Sequence, residues 1–409
     1  VDYLRDNRDE NMGFLSKTLL PDGTEIPGTN FDYNYLQHRK VDVVSSALDF
    51  ILPFEKYKIT AGAKVSFTNT RNGINYDTSD PTLVQDDYFR YKEQIYALYA
   101  DYSREYSERF SMQLGLRMEH TRTTGISEAK DTEDKHDYTR LFPTVYLLYS
   151  PTDGHALNFS FSNRISRPSQ NMVNPFPFYQ NKYTYACGRE DLKPSYTYNA
   201  ELGYTLKNNF NVSAYYSYSD DVFFQVVDLD AETNVTSFLW ENFMKTHAFG
   251  LNNSYTFRTK WLQAYAQHGV SYRRTTSSAV TTSSEEKGWA YDASLRNTFF
   301  FNEKKTLLAT LSGSYSSRQY QGIYLMSPTY SVSAGMLYRL LDNKLNLSLN
   351  VNNLFVSHSK LETMSNGLKI IADNQFSFTS FRIGVSYTFG GDIRSKGQRN
   401  SNEDIQRRL

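Results

Sequence analysis

The fold of this chain is decided by one stretch near its C-terminal end, Phe381-Arg382-Ile383-Gly384-Val385-Ser386-Tyr387-Thr388-Phe389. Apolar side chains occupy every odd position, and small or polar side chains occupy every even one. Successive side chains of a β-strand point to opposite faces, so strict alternation predicts a strand with one apolar and one polar face. A soluble sandwich also contains such strands, and the rest of the chain decides between the two environments.

The same alternation recurs along the chain, with aromatic residues at strand ends and polar loops between strands. This is the pattern of a transmembrane β-barrel. A helix would need apolar residues three and four positions apart, and these segments lack that spacing. The sequence therefore predicts an all-β fold, namely a transmembrane antiparallel up-and-down β-barrel. The clearest further strands begin at Tyr57, Phe110, Leu157, Phe210 and Leu345.

Composition excludes several other classes. A mean hydropathy of -0.59 and the absence of a long apolar run argue against transmembrane helices. The 33 Tyr residues suit the membrane–water interface, where the ring is buried and the hydroxyl is hydrated. A formal net charge of zero gives no reason to expect nucleic-acid binding. The single cysteine, Cys187, excludes an internal disulfide and is expected to be an inert small residue.

Connection lengths predict the topology. Outer-membrane barrels have short periplasmic turns and long extracellular loops, and two such sets alternate here. The predicted barrel covers residues 1–389, and the polar tail, residues 390–409, is expected to hang in the periplasm. The short connections are residues 53–56, 104–108, 151–155, 207–209, 258–260, 302–304 and 342–344; the long ones are 69–87, 124–137, 168–195, 228–236, 275–287, 321–327 and 357–374.

The predicted strand count is odd. About fifteen strands can be read from residue 31 onward, whereas bacterial single-chain barrels have an even number. Residues 2–30 would be a further outer loop, so Val1 would end a strand already in progress, and nothing at this end resembles a signal peptide. We therefore expect the C-terminal part of a longer chain. A plugged barrel of 22 strands, with about seven strands upstream, accounts for the count.

Several motifs resemble one protein family. The run Arg164-Ile165-Ser166-Arg167-Pro168-Ser169 is followed by Asn174-Pro175-Phe176, Gly188 and Asp191-Leu192-Lys193-Pro194. Together with Asn350-Val351-Asn352-Asn353-Leu354-Phe355, these stretches resemble the barrels of TonB-dependent receptors, and most closely the group common in Bacteroidetes. The C-terminal spacing of Arg382, Gly384, Tyr387 and Phe389 also resembles the insertion signal of outer-membrane barrels. Arg189-Glu190 departs from the family pattern, which usually has Asn-Pro there.

The resemblance implies energised uptake across the bacterial outer membrane. The family's N-terminal plug is displaced by pulling from TonB, and a siderophore, glycan, peptide or vitamin then enters through the barrel. No plug or TonB box is present in this sequence. The implied partners are outer-membrane lipid, the chain's own plug and TonB, with a surface lipoprotein as a further candidate. No cofactor is implied.

The candidate site residues fall into three groups. Tyr179, Tyr183 and Tyr185 lie in an aromatic loop, where rings suit stacking on a ligand, and Arg164 lies just below on the polar face. A self-packed loop is an equally good interpretation of the rings. No metal site is expected, although Asp228, Asp230 and Glu232 are a weak candidate because calcium favours clustered carboxylates. Charged residues on the polar strand face are expected to form structural ion pairs or plug contacts in the lumen: Arg117, Glu119, Glu201, Arg339 and Arg382.

Two functions of different classes remain open. One is the barrel of a TonB-dependent importer, and the other is a structural or assembly partner in a larger outer-membrane complex without transport. The seven histidines are scattered, and the sequence lacks the metalloprotease, nucleophile-elbow and phosphate-loop motifs. An enzyme is therefore not expected. A plug and a TonB box upstream would favour the importer.

Overall fold

The computed structural model of the chain describes residues 1–27, 29–78, 86–374 and 378–389. In these residues nearly all regular structure is β-strand, with one helical turn, α1 (Gln170–Val173). The strands are β1 (Asp2–Ser16), β2 (Phe31–Pro53), β3 (Tyr57–Thr78), β4 (Asp87–Ser107), β5 (Phe110–Ser127), β6 (Thr132–Tyr149), β7 (His155–Ser166), β8 (Phe178–Asn181), β9 (Thr184–Cys187), β10 (Ser195–Leu206), β11 (Phe210–Asp230), β12 (Val235–Arg258), β13 (Leu262–Ser277), β14 (Glu285–Phe300), β15 (Leu307–Ser316), β16 (Gln319–Gln321), β17 (Tyr324–Met326), β18 (Thr329–Leu340), β19 (Leu345–Val356), β20 (Ser359–Ser365), β21 (Leu368–Asn374) and β22 (Ser380–Tyr387).

One large antiparallel sheet forms the wall of the molecule. It contains 18 strands, and removing the short inner strands β8 and β9 leaves 16 wall strands. Each wall strand pairs with the next wall strand along the chain, which confirms the up-and-down antiparallel topology. The order is β1-β2-β3-β4-β5-β6-β7-β10-β11-β12-β13-β14-β15-β18-β19-β22. Within the described residues, β1 pairs with β2 and β22 pairs with β19.

The wall has one strand more than the roughly fifteen expected, because residues 2–16 are not a loop. They form β1, which pairs with β2 without a break from Asp2↔Ser45 to Ser16↔Phe31. The charged run from Arg5 to Glu10 hides this strand, since it has no apolar alternation. Backbone ladder hydrogen bonds form regardless of side-chain polarity. The wall therefore has an even number of described strands.

Four of the seven long connections are shorter than expected, because the wall strands extend into the predicted loops 69–87, 124–137, 228–236 and 275–287. The wall hairpin β5–β6 turns at residues 128–131, and β11–β12 turns at residues 231–234. Residues 319–326 and 359–374 form a separate four-stranded sheet, β16-β17-β20-β21. That sheet packs Ile323 and Tyr324 against Val226 and Phe243 of the wall. Residues 79–85 of the first long connection and the tail, residues 390–409, lie outside the described residues.

Hydrophobic side chains change face along the longest strands. In β2, Tyr33 and Val41 face inward and are fully buried, whereas Leu48 and Phe50 face outward and are 58% and 55% exposed. The strand has 23 residues, or roughly 75 Å at about 3.3 Å per residue, whereas about 9–11 residues cross a bilayer. We infer that the long-loop end of the wall extends beyond the membrane, because only water favours polar residues on its outer face.

The rest of the wall presents apolar residues outward. Phe381, Ile383 and Val385 of β22 are 73%, 80% and 69% exposed, as a lipid-facing surface requires. We call the opposite side, which carries Tyr33 and Glu119, the inner face. Among the described residues no helix is long and apolar enough to cross a membrane.

The register of β19 gives a direct test of membrane exposure. Leu347 and Leu349 are exposed on the outer face, whereas Ser348 and Asn350 are partly covered on the inner face. Spin labels at the two leucine positions are expected to contact oxygen dissolved in lipid, and labels at the other two to contact water-soluble relaxation agents. Power-saturation spectroscopy of the full-length protein in liposomes makes the comparison. Contact of the labels at the leucine positions with the water-soluble agents would contradict the register of β19.

Candidate functional site

The connection between β7 and β10 lies on the inner face of the wall. We call residues 167–194 the inserted segment; it comprises α1, β8, β9 and the turns between them. Its buried residues Val173, Phe176, Tyr179 and Leu192 pack into one cluster with aromatic and aliphatic wall residues. The segment therefore occupies the long-loop half of the inner face with a hydrophobic core of its own. The wall residues of this cluster are Phe31, Tyr33, Tyr35, Ile74, Phe89 and Tyr91.

Hydrogen bonds to the backbone of the inserted segment hold it at both sides. The hydroxyl of Tyr33 donates to the Tyr179 carbonyl at 2.7 Å, and the hydroxyl of Tyr76 donates to the Pro177 carbonyl at 2.9 Å. On the other side, β9 pairs in parallel with β12 from Thr184↔Thr236 to Cys187↔Leu239. Buried carbonyl groups need donors, and two wall tyrosines supply them here. The segment thus bridges the inner face from β2–β3 to β12.

Arg189 and Glu190, which depart from the family pattern, anchor the segment's last turn. Arg189 donates to Asp191 at 2.6 and 2.8 Å and to Glu241 of β12 at 3.1 Å. The Arg189 guanidinium holds the pKa of the Asp191 carboxyl below its usual range. Glu190 accepts a hydrogen bond from the Thr132 hydroxyl at 3.1 Å. The two residues replace a proline-type turn with ionic and polar contacts to neighbouring hairpins.

Gly188 stands where the chain of the inserted segment crosses itself. Its N–H donates to the Asn174 carbonyl at 3.0 Å, and the next N–H, of Arg189, donates to the Met172 carbonyl at 2.9 Å. A Cβ atom at this position would lie 2.2 Å from the Asn174 oxygen and 2.6 Å from the Met172 oxygen. Both are backbone atoms, so a side chain cannot be accommodated by rotating a neighbour. Only glycine permits this crossing.

We expect Gly188→Ala to destabilise the inserted segment by about 1–3 kcal/mol, the usual cost of overpacking. Urea unfolding of the full-length protein in detergent measures the change. Gly73→Ala is the matched control, because the Cβ atom added there meets only Tyr88 at 3.6 Å, an ordinary van der Waals distance. Equal stability of the two variants would contradict the close backbone crossing at Gly188.

Four charged side chains form an ion-pair network at the lower edge of the inserted segment. Arg117 binds Glu119 at 2.6 Å, and Glu119 also binds Arg167, the first residue of the segment. Arg167 lies 3.9 Å from Glu93, and its Nη2 donates to the Thr121 hydroxyl at 3.3 Å. Glu93, Glu119 and Arg167 have side chains only 4%, 5% and 11% exposed. Because ions this buried require partners, the network ties the segment to β4 and β5.

Below the network, the inner face is polar and open. A cavity of about 970 Å³ is lined there by side chains of both charges, including Arg117, Glu119 and the predicted ligand residue Arg164. The remaining charged members of its lining are Asp2, Asp49, Lys64 and Asp101. This is the half of the inner face that the inserted segment leaves uncovered. It can hold water, or a polar domain or ligand of complementary charge.

The predicted site residues are only partly brought together. Arg117 and Glu119 form an ion pair within the network. The others lie elsewhere on the inner face: Glu201 lines a small groove on β10 with Asn158, and Arg339 borders another groove near Ser386. Arg382 is on β22, opposite Asn350. None of the described contacts joins these three residues to the network.

The three predicted ligand tyrosines differ in environment. Tyr179 is 8% exposed and belongs to the hydrophobic cluster, and the Tyr185 ring lies 5.3 Å from it. Tyr183 is 49% exposed at the tip of the β8–β9 hairpin. The described lining of the cavity that contains Arg164 includes none of the three. Tyr183 thus remains the tyrosine most accessible to a ligand, and Tyr179 has a packing role.

Two carboxylates of the weak metal candidate at the β11–β12 turn have hydrogen-bond partners within the protein. Asp230 accepts hydrogen bonds from the Thr233 hydroxyl at 2.7 Å and the Glu232 N–H at 2.9 Å, which lower its pKa. Asp228 accepts from the Asn366 amide at 2.8 Å. The carboxylates are used to close the turn and to hold the β20–β21 hairpin. In the described part of the chain, no three His, Cys, Asp or Glu residues are arranged to hold a metal.

Sequence reasoning missed Arg167 and Glu93. Strict alternation would place Arg167 outward, but β7 ends at Ser166 and Pro168 redirects the chain, so the side chain turns inward. Glu93 stands between Tyr91 and Ile95 on a face that is apolar at this end of the strand. The sequence signal that could have identified Glu93 is a single acidic residue among apolar residues at alternate positions of the strand. Its cationic partner, 74 residues later, was not readable from that pattern.

Comparisons with known proteins agree with this architecture. The chain superposes on the copper transporter OprC with a TM-score of 0.60 at 12% identity, covering 94% of this chain and 65% of that one. On the ferric yersiniabactin uptake receptor FyuA from Yersinia pestis it superposes with a TM-score of 0.59 at 15% identity, covering 95% of this chain and 59% of that one. On the unliganded ferric citrate transporter FecA it superposes with a TM-score of 0.58 at 13% identity, covering 94% of this chain and 62% of that one. Identities this low show a shared fold alone, and the chain spans about 60% of these structures' lengths.

The sequence family is determined independently of the structural superpositions. Among curated proteins, none matches this chain significantly. The family described as the outer membrane protein beta-barrel family matches residues 1–387, nearly the whole chain. This match confirms the resemblance seen in the motifs and the integral outer-membrane location; an origin in Bacteroidetes stays a prediction. The chain is therefore a member of the outer membrane protein beta-barrel family.

Proposed function

We propose that this chain is the barrel portion of a TonB-dependent receptor that imports a nutrient across the outer membrane. The substrate would be a siderophore, glycan, peptide or vitamin. The observation that carries the proposal is the division of the inner face. One half is closed by the inserted segment, and the other is a polar, charge-lined cavity. A barrel with a purely structural role needs neither the inserted segment nor the charged cavity.

The comparisons support a transport role. The proteins that share the fold are named as an uptake receptor and as transporters of ferric citrate and copper. The chain's coverage of those proteins leaves room for a plug and further strands. In this proposal the cavity charges, among them Lys64, Arg117 and Arg164, contact a plug domain of the full-length protein. No chemistry of bond making is assigned to the barrel.

The proposed orientation follows connection length. The inserted segment and the β16-β17-β20-β21 sheet lie at the long-loop end, which we place outside the cell. The short turns, and the tail at residues 390–409, then face the periplasm, where TonB would engage the plug. Tyr183, exposed at the tip of the inserted segment, would be the first predicted ligand residue to meet a substrate.

Uptake in whole cells tests the proposal. A strain without the gene would be compared with one carrying the full-length gene on media that supply iron as a siderophore complex, a glycan, a peptide or a vitamin. We expect growth on one of these sources to need the gene and to stop when a protonophore collapses the membrane potential. Growth that is independent of the gene on every source, combined with altered outer-membrane composition, would instead favour the assembly role.

A further inference from the structure

A second cavity, of about 280 Å³, lies between the inserted segment and the inner face of β1 and β2. The wall formed by β1 and β2 is polar and includes Arg8, Glu10, Gln37 and Arg39; the wall formed by the inserted segment and β12 includes the aromatic residues Phe178 and Trp240. The side chains of Arg8 and Glu10 are 52% and 45% exposed. Its two unlike walls suit a small amphipathic molecule.

The polar wall contains two arginines directly opposite each other. Arg8 of β1 and Arg39 of β2 are cross-strand partners. Residues so paired have Cβ atoms about 4.5–5.5 Å apart, and like charges directly opposite each other are destabilising. Asp6 lies 3.3 Å from Arg39, and Glu10 lies 4.0 Å from Arg8, so each arginine has one weakly placed acid. An anion between the two guanidinium groups would remove the remaining repulsion.

Arg39 is also incompletely hydrogen-bonded. Its side chain is only 6% exposed, yet its two contacts are long: Nη1 to Asn171 Oδ1 at 3.4 Å and Nη2 to Asp6 Oδ2 at 3.3 Å. Within the described residues its buried Nε has no acceptor. Charge-assisted bonds to carboxylates are usually about 2.7–2.9 Å long, and arginine binds carboxylates in bidentate fashion. The guanidinium has donors available for such a partner.

We propose that this cavity binds a small organic carboxylate with an aromatic or apolar body. The carboxylate is held between Arg8 and Arg39, and the body lies against Trp240 and Phe178. This assignment names a substrate class and so rests on the proposed import function. The ligand would reach this cavity from the long-loop end, because the inserted segment that lines the cavity lies in the long-loop half of the inner face. No residue of the ion-pair network takes part.

Fluorine NMR of the full-length protein in detergent tests the site. The probe is 4-fluorophenylacetate, and its neutral counterpart, 4-fluorophenylacetamide, has nearly the same shape. Empty micelles give the baseline for partitioning. We expect the acid to bind at least about tenfold more tightly than the amide, the effect of one charge-assisted hydrogen bond. Equal affinity of the acid and the amide would overturn the proposal.

Three variants locate the effect. Arg8→Gln and Arg39→Gln are each expected to weaken binding of the acid about tenfold or more. Arg8→Gln keeps the test decisive if the buried variant fails to fold. Arg5→Gln is the matched control, since Arg5 lies on the outer face of β1, is 50% exposed and pairs with Asp42. An equal loss with Arg5→Gln would show a bulk charge effect and overturn the site.

This measurement is independent of energised transport. Binding to purified protein needs neither TonB nor a membrane potential. Failure of gene-dependent uptake together with arginine-dependent binding would therefore remove the import function and keep the site. Gene-dependent uptake without binding of the acid would keep import and remove this substrate class.

Discussion

Replacing Arg167 with methionine is expected to destabilise the barrel by about 3–5 kcal/mol, the usual cost of leaving buried ions without their partner. Arg167 is the cation shared by Glu119 and Glu93, whose side chains are 5% and 4% exposed. Arg117 would still neutralise Glu119, because it binds the other carboxylate oxygen. Glu93 would lose the guanidinium that lies 3.9 Å away, and the start of the inserted segment would lose its tie to β4 and β5.

Urea unfolding of the full-length protein, refolded into micelles, measures this loss. The control is Arg122→Met, which breaks an ion pair with Asp137 whose two side chains are 60% and 56% exposed. Exposed pairs contribute at most about 1 kcal/mol, so this variant should unfold almost like the parent. Adding Glu93→Gln to the Arg167 variant should recover part of the loss, since a neutral amide does not need the cation that Arg167 supplied. Equal effects of Arg167→Met and Arg122→Met would refute a buried network.

Phe176→Ala is expected to release the inserted segment, with a local loss of about 3–5 kcal/mol for truncating a buried phenylalanine. Phe176 is 2% exposed and packs edge-on to Phe89 of β4, with 6.5 Å between ring centroids. Its removal leaves a cavity between the segment and the wall. Hydrogen exchange followed by mass spectrometry should show faster exchange across residues 170–192. Exchange in β13, which pairs with β12 and β14 in the wall, should stay slow.

Tyr183→Ala is the matched control for that variant, because Tyr183 lies in the same segment but is 49% exposed. It should leave exchange unchanged. It is also the proper test of ligand contact by this loop. Replacing Tyr179 would disturb the hydrophobic cluster, so lost binding in that variant would report unfolding of the segment. Unchanged protection in Phe176→Ala would mean that the segment does not depend on its packing against the wall.

The two cavities divide the inner face into parts with different chemistry. The larger one below the network carries both charge signs and is open, which suits a hydrated lumen or a polar domain. The smaller one beside Arg39 has aromatic residues on one wall and a buried guanidinium, which suits a defined small molecule. Variants of Arg8 should therefore act mainly on ligand binding, and variants of Arg167 mainly on stability.

The sequence by itself determined the fold class, the lipid-facing surface and the family. Those features depend on period-two alternation and short motifs, which are local: Phe381, Ile383 and Val385 are apolar because lipid contacts them, whatever the rest of the chain does. The same reasoning placed Arg117 and Glu119 on the inner face. It failed for β1, whose charged residues conceal a strand held by backbone hydrogen bonds.

Only the tertiary structure decided where the inserted segment lies and which residues meet there. Phe31 and Tyr33 look like an aromatic strand end in the sequence, and nothing local shows that their partners are Phe176 and Tyr179, about 145 residues later. Arg8 and Arg39 are likewise adjacent only through the β1–β2 register. Packing and cross-strand contacts join residues far apart in the chain, so alternation can assign each residue a face but cannot assign it a partner.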